Sequence, residues 1–465
     1  MIDARITGVI SMGKSIPHAV MFRAKQDNTF RNPAYLSALQ AGRYTGKLSA
    51  TLASWWEQDG EIIFPRGYGR RLHDLATNSG AEIAWQDLRT EAPVTFPAAL
   101  DGINLRQYQE NVLEAACDAT QGVIISPTGS GKTLTALELI RRRGQRAIIL
   151  VHSNALAAQW VSVIRQRLKI IAGRIGDGMW VLGNHITVAT IQTLYLRQDA
   201  AMEIAKNIGT VVVDECHHMP ADTFAVVIGL FSAKYRYGFT ATPKRKDGLE
   251  VMVYRLIGEK LAQVSDQDVL DTGGIVPVRV MVMDTGCTFP MVNAADRDWS
   301  KFLTAVETDG PRNVMLAQIA IRMSATRQVL ILTDRVAHAE IISVLIPGAI
   351  LAHGGLKTAE KKLALAQMNT AKVTVGTKGL LGEGLDCSAW ACLIIASPIS
   401  GETPIQQAVG RVIRGSPGKK DGLVIDMVDP HPYGHGSFRK RRAVYNRRGW
   451  PVMPYPTDGL KINGK

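Results

Sequence analysis

The segment Ser126 to Thr133, SPTGSGKT, places two glycines, a lysine and a threonine at a spacing that suits a polyphosphate. It follows the apolar run GVIIS and opens an amphipathic stretch, which is the strand-to-helix context a phosphate-binding loop requires. Thr128, Gly129, Ser130 and Gly131 form the turn, where the two glycines let backbone N–H groups face phosphate oxygens and the helix start adds favourable partial charge. Lys132 is placed to reach the β- and γ-phosphates, and Thr133 to ligate Mg²⁺. Ser126 stands where the stricter G-x-x-x-x-G-K-[ST] pattern has its first glycine. Hydrolysis needs acids as well, and Asp214-Glu215-Cys216-His217 supplies them directly after the apolar run TVVV. Asp214 suits a Mg²⁺-orienting carboxylate and Glu215 the group that positions water. An acidic pair after a strand is commonly just a solvated strand end; downstream of a phosphate loop it reads as the hydrolytic pair of a P-loop ATPase.

These residues must be held by a sheet. From about residue 101, short β-branched runs alternate with amphipathic stretches, the pattern of parallel βαβ units. One series comprises GVIIS, AIILVH, HITVAT, TVVVDE and YGFTAT; a second comprises QVLILTD, AILAH, KVTVGT, CLIIASP and GLVIDMV. Apolar residues at helical spacing in TLTALELIRRR, NALAAQWVSVIRQRLK and VAHAEIISVL predict crossover helices. The expected fold is α/β, with two tandem doubly wound parallel-sheet domains at residues 101–265 and 266–465. The Gly273-Gly274 pair and Pro277 mark the junction region. Residues 1–100 read as a small α+β domain, with strands in RITGVISM, HAVMFRA and GEIIFPRG and a helix near YGRRLHDLA.

Several further motifs fall in order along the chain. Leu105-Arg106-Gln107-Tyr108-Gln109 precedes the phosphate loop, and Thr240-Ala241-Thr242-Pro243 follows the acidic motif. Between them lie VHSNALAAQW (151 to 160) and TVATIQTL (187 to 194). The second series carries Leu332-Thr333-Asp334, Ala352-His353-Gly354-Gly355 and a stretch from Gly376-Thr377 to Glu383-Gly384-Leu385-Asp386. It ends in Gln407-Ala408-Val409-Gly410-Arg411-Val412-Ile413-Arg414. Arginines three apart on a helix share one face, so Arg411 and Arg414 are expected to point at a single anion.

The set resembles superfamily 2 helicases and DNA translocases with two RecA-like domains, over residues 105 to 414. The resemblance implies that Gln109 recognises adenine and that Arg106, Gly384, Asp386 and Gln407 also line the nucleotide. It implies arginine fingers at Arg411 and Arg414 across the cleft, and coupling of hydrolysis to movement through Thr240, Thr242 and His217. Ser153, Asn154, Thr190, Gln192 and Thr193 would face nucleic acid in the first domain, and Thr333, Asp334, His353, Gly354 and Thr377 in the second. The L-R-x-Y-Q start, DECH rather than DEAD and the E-G-L-D form look most like the UvsW, RadD and XPB group. Among these, phage branch-migration helicases are most similar, with a stretch like Ile63-Phe64-Pro65-Arg66-Gly67 in a small N-terminal domain. The implied activity is an ATP- and Mg²⁺-dependent motor on duplex, forked or branched DNA. The rivals are an RNA helicase, the motor of a restriction or repair nuclease, and an ATP-gated binding module.

The chain's 54 Lys+Arg against 41 Asp+Glu give a net charge of +13, which favours a polyanionic partner. Residues 411–465 carry twelve basic and four acidic residues, whereas residues 1–100 carry eleven and nine. Trp55 and Trp56 with Arg66, Arg70 and Arg71 could stack on bases and hold phosphates; alternatively one tryptophan fills a small core and the arginines are solvated. The basic run SFRKRRAVYNRRGW reads as a terminal helix packed through Phe438, Val444 and Tyr445, or as a nucleic-acid arm. Five cysteines without C-x-x-C spacing suggest a reducing compartment and no metal site. Neither a leader nor a membrane span is evident, so a cytoplasmic, monomeric motor is expected, in the host cytoplasm if phage-encoded.

Overall fold

The computed structural model describes residues 2–13, 16–46, 48–218, 221–241, 248–289, 298–356, 358–377, 379, 387–399 and 401–456. Thr242, Gly384 and Asp386 lie outside the described residues. The chain divides into two compact units, one of residues 1–127 and 131–265 and the other of residues 128–130 and 266–465.

The first unit contains two main sheets. The N-terminal one is built from β1 (Ile2–Ile6), β2 (Val9–Met12), β5 (Trp56–Gln58), β6 (Glu61–Pro65) and β7 (Ile83–Asp87), in the order β5-β6-β2-β1-β7, while β3 (Thr29–Arg31) and β4 (Thr51–Ala53) pair separately. RITGVISM is therefore a hairpin rather than one strand, and HAVMFRA belongs to a helix, His18–Asp27, rather than a strand. The periodicity explains the second correction. Val20 and Ala24, four apart, are the buried residues, so one helical face meets the core while Phe22 stays exposed. Residues Gly69–Asn78 form the expected helix, burying Leu72 and Ala76.

The larger sheet comprises β8 (Gln121–Ile125), β9 (Ala147–Val151), β10 (Gly173–Gly176), β11 (Met179–Val181), β12 (Ile186–Thr190), β13 (Thr210–Asp214), β14 (Tyr235–Thr240) and β15 (Lys260–Gln263). Their order is β11-β10-β12-β9-β13-β14-β8-β15, parallel except for the β10–β11 hairpin. Strands β9, β12 and β13 are buried along their whole length, because helices cover both faces of a parallel sheet. That is why the sequence shows unbroken apolar runs here rather than alternation.

Two fully buried arginines join these sheets. Arg66 donates to Gln121 Oε1 at 2.6 Å and to the carbonyls of Thr7, Ala233 and Lys234. Arg236 donates to the carbonyls of Leu256, Gly8, Ile228 and Phe231, at 2.9 to 3.1 Å. Carbonyl oxygens replace the lost water around both cations. Burial first, then Arg89, pulls Arg236 down to about 9, so it stays protonated at neutral pH. The backbone of Gly8 also touches that of Gly229 so closely that a Cβ would collide with it. Arg66 is thus an internal fastener and not a phosphate contact.

The second unit is a seven-stranded parallel sheet of β16 (Val278–Asp284), β17 (Gln328–Thr333), β18 (Ile350–Ala352), β19 (Val373–Thr377), β20 (Trp390–Ile395), β21 (Gly422–Val428) and β22 (Val452–Pro454). The order is β18-β19-β17-β20-β21-β16-β22. Its terminal helix, Pro432–Arg447, buries Val444 and Tyr445, while Phe438, the third residue expected to pack, is only half-buried. Arg441 is also inside, paired with Asp426 at 2.8 Å, and the Tyr445 hydroxyl donates to the same carboxylate at 2.9 Å. Arg439, Lys440, Arg442 and Arg447 remain exposed. All five cysteines are free thiols. Among the described residues no helix is long and apolar enough to cross a membrane.

Candidate functional site

Parallel strands deliver their C-terminal residues to one edge, and that edge is where open α/β sheets bind ligands. In the first unit, β8 leads into the phosphate loop, β13 ends at Asp214 and β14 at Thr240. The β8–β14 register sets Ile125 beside Thr240, and the N–H of Ser126 continues the ladder to the Thr240 carbonyl at 2.9 Å. The loop then turns through Gly129 and Gly131, both with positive φ, into the helix Lys132–Arg143. Position 131 strongly favours glycine: its φ is +78°, and a Cβ would stand 2.6 Å from Gln109 Nε2.

Gln109 itself is buried, and its Oε1 accepts from the Arg106 backbone N–H at 2.9 Å, closing a capping box at the start of the helix Gln107–Cys117. Gln109, expected to recognise adenine, therefore sits beside the phosphate loop, held there by the Arg106 backbone. Lys132 Nζ lies 3.5 Å from Glu215 Oε1 and donates to the Ser126 carbonyl at 3.3 Å. Thr133 occupies the second position of the same helix, next to Lys132.

The acidic motif is shaped by its backbone. Glu215 has φ +48°, a left-handed conformation that a residue with a Cβ adopts only at some cost. The turn takes the chain from β13 into the short 3-10 helix Cys216–His218 and brings Glu215 towards Lys132. Asp214 is buried, and its carboxylate accepts from the Trp160 indole N–H at 2.8 Å and from the Glu215 backbone N–H at 2.9 Å. Burial, then the neighbouring Glu215 charge, raises its pKa to about 6. Trp160 was not anticipated as part of the site; it comes from the helix Asn154–Leu168, whose N-terminal end lies in the VHSNALAAQW motif. His217 Nδ1 meets Thr240 Oγ1 at 2.7 Å and Glu215 Oε2 at 3.4 Å, so two of the expected coupling residues touch each other and one of them, His217, also reaches Glu215. Cys216 is fully buried.

A divalent cation and a polyphosphate fit this donor set. The ammonium of Lys132 is held by an acid and a carbonyl, and an uncomfortable buried carboxylate stands where a cation would relieve it. Thr133 and Asp214 are the residues that would hold the metal, and Lys132 with the loop N–H groups the phosphates.

The nucleic-acid candidates of the first unit gather at the same carboxyl edge. Val151 at the end of β9 is in register with Thr190 at the end of β12. Ser153 caps the helix Asn154–Leu168 by accepting from the Leu156 N–H at 3.3 Å, while Asn154 is exposed. Thr190 is buried and shares a 2.8 Å hydrogen bond with Thr193; Gln192 is exposed.

In the second unit, Thr333 of β17 pairs in register with Thr377 of β19, and β18 leads to His353 and exposed Gly354. Thr333 departs from expectation as a side-chain contact. It is fully buried, with its hydroxyl bonded to His338 and to Ser397 at 2.7 Å, so it orders the strand end rather than reaching outward. Burial holds His338 down to about 3, keeping its ring neutral. The backbone N–H of Asp334 donates to the same Ser397 hydroxyl at 3.2 Å. Thr377 and His353 are also largely buried.

Gln407 and Arg411 lie four apart on the helix Glu402–Val412, and Arg411 is mostly buried. Arg414 does not share that helix. The helix ends at Val412, and residues 413–415 run beside 274–276, with Arg414 bridged to Ile275. Backbone pairing outcompetes another helical turn there, so the i, i+3 argument does not place Arg414.

In the N-terminal part, Trp55 packs on the small core, donates to Thr29 Oγ1 at 3.0 Å and carries Lys25 over its ring at 4.3 Å. Trp56 remains partly exposed. Arg70 and Arg71 pair with Glu259 and Asp27.

Known proteins sharpen this geometry. The family described as type III restriction enzyme, res subunit, matches residues 102–245. The chain is 28% identical over 412 residues to probable helicase D10 of Escherichia phage T5, covering 82% of this chain and 83% of that one. It is 36% identical over 163 residues to DNA 3'-5' translocase XPB2 of Sulfurisphaera tokodaii, where it spans only 36% of the relative's length. Among solved structures, Saccharomyces cerevisiae Dbp5 bound to RNA and ADP BeF3 has the same fold, with a TM-score of 0.56 and 18% identity over 76% of this chain and 90% of that one. Two parallel sheets, an ordered motif set that begins in the matched segment, and a helicase relative along most of its length make this chain similar to the superfamily 2 helicases and translocases.

Proposed function

We propose that this protein is an ATP-driven, Mg²⁺-dependent DNA translocase that remodels duplex, forked or branched DNA. The observation that carries the reading is the Lys132–Glu215–Asp214 cluster, in which a left-handed Glu215 faces the phosphate-loop lysine at 3.5 Å while Asp214 is fixed by Trp160. The relative named as a DNA 3'-5' translocase supports DNA as the substrate, and the one named as a probable phage helicase supports the motor.

Lys132 and the loop N–H groups would bind the β- and γ-phosphates. Bound Mg²⁺, held through Thr133 and Asp214, would supply charge neutralisation at those phosphates. Glu215 accepts a proton from, and aligns, the attacking water. Arg411 is proposed to stabilise the charge that develops on the transferred phosphoryl group, the role an arginine finger plays in such motors. His217, touching both Glu215 and Thr240, reports the state of the hydrolytic acid to the end of β14. Cyclic nucleotide turnover would then shift the carboxyl-edge loops that carry Ser153, Asn154, Thr190, His353 and Gly354 along a DNA strand.

The test is a panel of single-stranded, duplex, forked and four-way DNA with matched RNA, scored for ATPase stimulation and strand displacement. DNA-stimulated ATPase with unwinding or branch movement is expected. Stimulation confined to RNA overturns the substrate assignment, and hydrolysis indifferent to every nucleic acid overturns the motor.

A further inference from the structure

The β10–β11 hairpin belongs to none of the motifs discussed above. It turns through Asp177 and Gly178, both with positive φ (+56° and +75°), the type I′ geometry that an Asp-Gly pair favours. Its position is telling. Strand β10 runs parallel to β12, with Arg174 opposite Val188 and Ile175 opposite Ala189, so Gly176 arrives level with Thr190. A Cβ on Gly176 would stand 2.8 Å from both Asn154 Oδ1 and Thr190 Oγ1. Gly176 is therefore packed directly against Asn154 and buried Thr190, which sets the exposed hairpin tip, Asp177 and Gly178, next to exposed Asn154 at the carboxyl edge.

Arg174 sits under this tip. Its Nη2 donates to the Asn154 carbonyl at 3.4 Å and to Asp177 Oδ2 at 3.0 Å, while its Nε–H is shielded from solvent and has no acceptor among the described residues. The Arg174 side chain is only 20% exposed, whereas that of Asp177 is 61% exposed. The cation is fixed by the protein, and its acid sits at the rim on a two-residue turn. A carboxylate and a phosphate offer a guanidinium the same paired oxygens, and arginine's planar fork matches either.

We infer that Arg174 is a backbone-phosphate contact on the nucleic-acid track, and that Asp177 occupies its guanidinium in the free protein as an internal substitute for that phosphate. The inference rests on the DNA-binding reading above. Binding exchanges one acid for another: the phosphate oxygens take the Arg174 donors, the freed Asp177 carboxylate rotates to water, and Asn154 stays anchored through its carbonyl.

The experiment is fluorescence anisotropy of a labelled single-stranded and a duplex oligonucleotide with the full chain, titrated over a range of salt. Arg174→Ala should weaken binding about 5- to 10-fold on any sequence and lower the salt slope by about one, the signature of one lost phosphate contact. Arg174→Lys, which keeps the charge and loses the fork, should fall between. Asp177→Asn should tighten binding several-fold, because the competitor is gone, and it leaves the cation in place should the alanine variant fold poorly. Unchanged slope in Arg174→Ala, or weaker binding in Asp177→Asn as a mere hairpin clasp would give, overturns the inference. Absence of salt-dependent binding by the unsubstituted chain overturns instead the DNA reading beneath it.

Discussion

The site turns on how one buried acid is made tolerable. Asp214 is lifted to about 6 by burial and by Glu215, and Trp160 and Lys132 oppose that rise. A raised carboxylate pKa means the folded state binds the proton more tightly than the unfolded one. The stability from this group is complete below the ordinary value of 3.8 and is lost as pH rises through about 6. A cation that binds the ionised form must then expel the proton. Mg²⁺–nucleotide binding near pH 6 should release protons, read by calorimetry in buffers of different ionisation enthalpy, and release should vanish above pH 8. Glu215→Gln removes the charge that raises Asp214, so the midpoint for that release should fall. The same variant should lose about 10²- to 10⁴-fold in phosphate release while still binding nucleotide. Asp214 and Glu215 were readable from the sequence as a pair after an apolar run. Trp160 was not, because its role depends on a side chain from another element reaching across β13.

At the scale of elements, strands were the most legible feature, since fully buried parallel strands leave uninterrupted β-branched runs. Short edge strands β11, β15 and β22 escaped, having too few buried residues to leave a pattern, although Asp177-Gly178 was a hairpin signal in plain view. The terminal helix shows why a charge run cannot be read alone. Arg439, Lys440, Arg441 and Arg442 are adjacent in sequence, yet only Arg441 turns inward to Asp426. Arg441→Ala, leaving a buried carboxylate uncompensated, should cost about 3–5 kcal/mol, whereas Arg442→Ala should stay within about 0.5 kcal/mol. Denaturant unfolding of the two variants measures the contrast. Helix caps offer a second discrimination. Ser153→Ala should cost about 1 kcal/mol through the lost cap and Ser153→Gly only a few tenths. If the hydroxyl also touches nucleic acid, both variants weaken DNA binding equally despite that difference in stability.

For the molecule as a whole, the N-terminal sheet is separate from the larger sheet of the first unit but is fastened to it by buried side chains. Among the described residues, Arg66 and Arg236 tie eight groups from residues 7 to 256, none of them a carboxylate. Cutting near residue 100 would leave Arg236 without the Gly8 carbonyl and expose the surface that Gly8 and Gly67 approach. Residues 1–265 should therefore express as a folded protein, and residues 101–265 should aggregate, as judged by size-exclusion chromatography and circular dichroism. Gly8→Ala should destabilise the intact protein by about 1–3 kcal/mol through overpacking. Any DNA held by the N-terminal sheet must then move with the first motor sheet.

The sequence by itself determined what depends on neighbours along the chain. A glycine-rich turn between strand and helix, an acid pair at a strand end and the alternation of apolar runs with helical spacing are local, and they sufficed for two parallel sheets and for the strand-end placement of the loop and the acid pair. The tertiary structure decided what depends on neighbours in space. It turned Arg66 into a fastener, took Arg414 off its helix, buried Thr333 beneath the surface it was expected to line and set Arg174 beside Asn154. Each outcome was fixed by which carbonyls and carboxylates happened to lie within hydrogen-bond reach, and sequence spacing carries no record of that.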